Sequence, residues 1–201
     1  MSSVDNAPVT AEQVRDAMRQ RYAAPEFALL EEVRNATGRM REKPGRRMGS
    51  GKKARYADML AMSLYPSAGL EMIGFEIKVS RADWINELKD LSKSDAVSKY
   101  CDRWYLVVGD ISIIKDGELP ENWGLLILHD GQIVEAVPAP KRAAEDVDRA
   151  FLASLLRNAT MATTPQVVKP RTRKRRPRKA AASGWRSTAK SKVDPQLMMA
   201  G

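Results

Sequence analysis

The stretches RWYLVVG at residues 103–109 and WGLLIL at 123–128 are short, almost continuous apolar runs, and they constrain the fold more than any other feature of the chain. Extended chain sends successive side chains to opposite faces, so a run that is apolar at every position must be covered on both sides. A third run, LEMIGFEIKVS at 70–80, is apolar along Phe75, Ile77 and Val79, which share one face. Its other face carries an acid and an ammonium, Glu76 and Lys78. Helical patterns lie at both ends of the sheet-forming region. TAEQVRDAMRQRYA opens with Thr10 as an N-cap, and AAEDVDRAFLASLLRNAT has an apolar face of Val147, Ala150, Phe151, Leu155 and Leu156. Buried strands accompanied by amphipathic helices imply an α/β fold, a central mixed sheet of four or more strands flanked by helices.

The remaining pattern fills in the order. EFALLEEVRNATG repeats apolar positions at Phe27, Leu30 and Val33 and ends near Gly38, which predicts a second helix before the sheet. ARYADMLAMSLY and LEMIGFEIKVS, joined by PSAG, read as an antiparallel hairpin. Ser80 then stands as an N-cap, with Asp83 at the capping-box position, and opens an interrupted helical region from Arg81 to about Tyr100. WGLLILHDGQIVEAV contains a D-G turn signal. The element order is thus two helices, two strands, a helix, two strands and a helix, with no internal repeat. GRMREKPGRRMGSGKK is a Gly-rich basic loop suited to a neighbouring phosphate chain, and its spacing is not that of a Walker A loop.

One cysteine, Cys101, excludes an internal disulfide framework, and one histidine, His129, leaves too few soft ligands for a usual zinc site. No stretch approaches a membrane span, and the opening MSSVDNAPVTAEQ has no signal-peptide h-region, so a soluble intracellular protein of bacterial or phage-infected cytoplasm is expected, with no small-molecule cofactor. The net charge of +9 is concentrated at one end. Eleven Lys/Arg and a single Asp follow Val167, giving +10 there and leaving −1 for everything before it. The run includes Arg171, Arg173, Lys174, Arg175, Arg176, Arg178 and Lys179, with Trp185 available for base stacking. Low in apolar residues and broken by Pro170 and Pro177, it reads as a disordered nucleic-acid-binding arm. The organisation expected is a lead-in helix at 1–25, a folded domain at 26–163 and a basic tail at 164–201.

Asp58 interrupts an otherwise apolar strand, and a buried carboxylate costs several kcal/mol unless it is paired or metal-bound. If the hairpin closes through its PSAG turn, Asp58 lies beside Glu76. Two adjacent carboxylates repel unless a cation sits between them. Oxygen ligands without clustered His or Cys select Mg2+ or Mn2+. Lys78, on the same face as Glu76, would then stand beside the metal and could orient or deprotonate a water or stabilise charge on a phosphate.

The set Asp58 followed by Glu76-Ile77-Lys78 resembles the PD-(D/E)xK nuclease superfamily. Within it RYADMLAM, FEIKVSRADW, YCDRWYLVV and WGLLILHDG resemble MmcB-like DNA-repair proteins and related phage-encoded nucleases, over residues 26–140. The resemblance implies a restriction-endonuclease-like core, a metal held by Asp58, Glu76 and the Ile77 backbone carbonyl, and a helix-borne Glu32, or Glu31 beside it, facing that metal. It implies a Mg2+-dependent DNA endonuclease in which Lys78 positions water. Ala57 replaces the leading proline of the motif, a position that varies in the superfamily. The alternative is a non-catalytic DNA-binding or nucleoid-associated protein; a restriction enzyme would in addition require sharp sequence preference. Ser80 and Asp83 read as caps, Cys101 as packed, His129 as structural, and Arg103 as an ion-pair partner or a phosphate contact.

If about six of the tail's basic residues reach phosphates together, log affinity for duplex DNA should fall with log salt at a slope of roughly −5. Deleting residues 166–201 should flatten that slope in fluorescence anisotropy across a salt series. An unchanged slope would remove DNA as the tail's partner.

Overall fold

The computed structural model describes residues 8–36 and 55–163. Along the chain run α1 (Ala11–Arg21), β1 (Phe27–Arg34), β2 (Tyr56–Ser63), β3 (Met72–Lys78), α2 (Arg81–Leu88), α3 (Ser92–Ser98), β4 (Arg103–Val108), β5 (Gly124–His129), β6 (Gln132–Val137) and α4 (Arg149–Thr163). The strands form one six-stranded sheet in sequence order. β1, β2 and β3 pair antiparallel, β3, β4 and β5 pair parallel, and β6 returns antiparallel to β5. This is the expected α/β architecture of a mixed sheet flanked by helices. The apolar run of β4 lies at its centre, buried from Trp104 to Val108. At the β5–β6 turn Asp130 and Gly131 both have positive φ, 49° and 75°, as a two-residue D-G hairpin requires.

Helices cover both faces. Val14 and Met18 of α1, with Tyr22 just after its end, pack on Met59, Phe75, Ile77, Val107 and Leu126. On the other face Trp84, Val97 and Phe151 of α2, α3 and α4 pack on Leu60, Trp104 and Leu106. Each such large side chain stabilises the fold by about 1.5–3 kcal/mol relative to exposure. Thr10 caps α1 in a reciprocal box with Gln13. Among the described residues no helix is long and apolar enough to cross a membrane. The Gly-rich loop and the basic tail lie outside the described residues.

Two expectations are corrected. Residues 27–34 form strand β1, where a second helix was expected. Leu30 and Val33 do share a face, as a helix would have them, but the cause is a change of phase within a strand. α4 begins at Arg149, after the Asp148 carboxylate accepts the Phe151 N–H at 2.7 Å. Val147 therefore precedes the helix, and the buried face is Phe151 and Ser154, with Leu156 60% exposed.

The change of phase in β1 is matched in β2. Pairing runs to Glu31↔Met59 and resumes at Val33↔Ala57, skipping Glu32 and Asp58. Before the skip Phe27 and Leu29 face α1, as do Met59 and Ala61; beyond it Val33 and Ala57 face the opposite side. Glu32 takes a φ of 50°, a left-handed conformation that costs a residue of its type about 1 kcal/mol or more. The β2–β3 ladder stops at Met59↔Phe75. The next N–H, that of Ile77, donates to the Asp58 Oδ2 at 2.8 Å, so a side chain replaces the carbonyl that the re-phased strand no longer offers.

Gly74 of β3 leaves room for the buried Trp104 indole on β4, since a Cβ there would lie 2.3 Å from Trp104 Cε3. Gly74→Ala should therefore destabilise the protein by about 1–3 kcal/mol through overpacking, read as a lowered urea midpoint. An unchanged midpoint would contradict this packing.

Candidate functional site

Three elements converge at the C-terminal end of β3. Alternation along β3 puts Phe75 and Ile77 into the α1 layer and turns Glu76 and Lys78 toward α2. β2 brings Asp58 to the Ile77 N–H, and α2 contributes Glu87. Ser80 fixes the phase of α2: its Oγ accepts the Asp83 N–H at 3.1 Å, and it donates to the Asp83 carboxylate at 2.7 Å. With that start, Trp84 is fully buried against the sheet and Glu87 follows three residues later on the same face. The Arg81 guanidinium anchors the same turn, donating to the Ile113 carbonyl at 2.9 Å and to Glu118 at 2.5 Å. Arg81 holds the Glu118 carboxyl down at about 2.

The Lys78 Nζ lies 2.5 Å from Glu76 Oε1 and 3.2 Å from Glu87 Oε2. All three side chains are nearly enclosed, at 13%, 11% and 13% exposure for Lys78, Glu76 and Glu87. Burial, and then the negative charge of Asp58, push the Glu76 carboxyl up to about 7, against the pull of Lys78. For Lys78, burial works to lower the pKa, but the charges of Glu76, Glu87 and Asp58 outweigh it and hold the ammonium above its ordinary value. One ammonium thus serves three carboxylates, and burial first, with the charge of Asp58 after it, makes Glu76 hard to ionise.

Asp58, Glu76 and Lys78, named from sequence, are brought together, with Ile77 between the last two. Glu32 is not. It sits exposed on β1, in the skipped position across from Asp58, and not on a helix. Glu31 is engaged by Arg19, whose Nε donates to it at 2.7 Å. A groove of about 590 Å³ between β1 and α4, lined by Glu32, Arg34, Tyr56 and Arg157 among others, includes none of Asp58, Glu76, Lys78 and Glu87. Arg103 is spent on Glu71 at 3.1 Å and on the Ala139 carbonyl. Cys101 is buried, with its thiol pushed up to about 12 by burial, and the His129 side chain is 75% exposed. The basic residues 171–179 lie outside the described residues. Glu87 escaped sequence reasoning, although the Ser80 cap and Trp84 together fix the helix face on which it lies.

The donor chemistry fits a hard cation. Asp58 and Glu76 offer carboxylate oxygens, and their mutual repulsion is what such a charge would relieve. Among the described residues no group of three or more His, Cys, Asp or Glu side chains could hold a metal ion, so the side chains would supply two carboxylates, and a backbone carbonyl and water the remaining ligands.

No family model matches the chain, and no curated protein matches it. Among solved structures, a protein of unknown function from Silicibacter pomeroyi is similar, with a TM-score of 0.51 and 21% identity over 79% of this chain and 88% of that one. At that identity the likeness bears on the fold alone.

The position of Glu76 sets a pH dependence. Its carboxyl is raised in the folded state from the ordinary 4.5 to about 7, so its contribution to stability is full below about pH 4.5 and is lost as pH rises through about 7. Glu76→Gln should gain stability relative to the wild type across that window, by about 2–3 kcal/mol in urea unfolding. A gap that does not change with pH would contradict the burial of this carboxyl.

Proposed function

We propose that the protein is a metal-dependent DNA nuclease, an endonuclease of DNA repair or phage DNA processing, which hydrolyses phosphodiester bonds at the end of β3. The observation that carries this reading is the apposition of Asp58 and Glu76 from two strands, with Lys78 on the same face as Glu76 and in contact with it. Asp58 and Glu76, with the Ile77 carbonyl, would hold Mg2+ or Mn2+. When bound, such a cation supplies Lewis-acid polarisation of a phosphate and a more acidic water. Lys78 presents an ammonium that stabilises negative charge building up on phosphate oxygens and orients the attacking water. The motif's resemblance to PD-(D/E)xK nucleases and the +10 charge after Val167, suited to holding a duplex, support DNA as substrate.

A second reading, a DNA-binding protein without catalysis, is favoured by one observation. Lys78 is already neutralised by Glu76 and Glu87, and no three-acid metal group exists among the described residues. Incubation with supercoiled plasmid and structured DNAs, with Mg2+ or Mn2+, separates the two. The nuclease reading expects cleavage that EDTA abolishes. It also expects Asp58→Ala, Glu76→Ala or Lys78→Ala to lower the rate by at least about 100-fold, with double variants little worse than singles because the groups act on one reacting centre. DNA binding without cleavage of any form would establish the second reading.

A further inference from the structure

We infer that Glu87 is a positioning residue that holds the Lys78 ammonium so that Glu76 can be released to a hard cation. This rests on the proposed cation site at Asp58 and Glu76.

In the structure Lys78 is shared, 2.5 Å from Glu76 and 3.2 Å from Glu87. A cation at Asp58 and Glu76 would compete with the ammonium for the same Glu76 oxygens. An ammonium only 13% exposed that lost its sole carboxylate would be left buried, unpaired and beside a like charge, an arrangement costing several kcal/mol. Glu87 removes that conflict, because Lys78 keeps a charged partner when Glu76 changes its own.

The surroundings of Glu87 leave little else for it to do. Its side chain is 13% exposed, unlike an ordinary solvated helix glutamate, and among the described residues its ion pairing is with Lys78 alone. The neighbouring Lys89 turns away to Asn86, at 2.8 Å. α2 is fixed at its start by the Ser80 cap and by the Arg81–Glu118 pair, and the buried Trp84 holds it against the sheet. The carboxylate is thus presented from a fixed support.

The experiment is calorimetric titration of Mn2+ into the full chain in a double-mutant cycle of Glu87→Gln and Lys78→Met. Glu87→Gln should weaken Mn2+ binding by about tenfold, a coupling ordinary for contacting charges, whereas in the Lys78→Met background it should change binding by less than about twofold. Glu87→Asp, which keeps the carboxylate and guards against loss of folding in Glu87→Gln, should bind within about threefold of the wild type. Equal weakening in both backgrounds would mean that Glu87 acts by its own charge on the cation, and overturns the inference. So would no weakening in either, or Glu87→Asp binding as weakly as Glu87→Gln. A folded wild type that binds no Mn2+ would remove the cation site itself, and the inference with it.

Discussion

The hydrogen bond from the Ile77 N–H to the Asp58 carboxylate closes the sheet where its backbone ladder fails. β1 and β2 change phase together at Glu32 and Asp58, which carries Val33 and Ala57 under the helical layer while Leu29 and Met59 stay against α1. A regular strand would have directed Asp58 according to strict alternation and left the Ile77 donor to a carbonyl. The irregularity instead frees the Asp58 side chain to reach β3, and so creates the acid pair. Leaving the Ile77 N–H unsatisfied would cost about 1–3 kcal/mol, so the same contact that builds the site also supports the fold.

The charge balance follows from this placement. Glu76 is buried beside Asp58, and Lys78 cannot neutralise both while also serving Glu87. On the proposed reading, fold stability and cation affinity oppose each other at this side chain. Burial that raises the Glu76 carboxyl to about 7 would also make its ionisation easier beside a stronger positive charge.

Much of this was legible in the sequence because it depends on alternation over short distances. Glu76 and Lys78 share a face as period two requires, the PSAG turn pairs β2 with β3, and Ser80 caps the helix that follows. β1 was not legible. Its apolar residues at 27, 30 and 33 have a helical spacing, produced by a phase change at Glu32 whose cause lies in pairing with β2, about 26 positions away in sequence. The resemblance to nucleases assigned Glu32 to a helix facing the metal, and the same phase change places it exposed on an edge strand. Glu87 went unnoticed for another reason: a glutamate on a short helix is usually solvated, and only the tertiary packing of Trp84 turns this one inward.

We propose that the interrupted ladder makes Asp58 and Glu76 a single cation site. Crystals of the full chain grown with Mn2+ test it most directly, through anomalous scattering recorded near the manganese edge. A peak is expected within coordination distance, about 2.0–2.2 Å, of an oxygen from each of the two carboxylates. No peak there, with Lys78 still bound to Glu76 at a manganese concentration that saturates other sites, would contradict it.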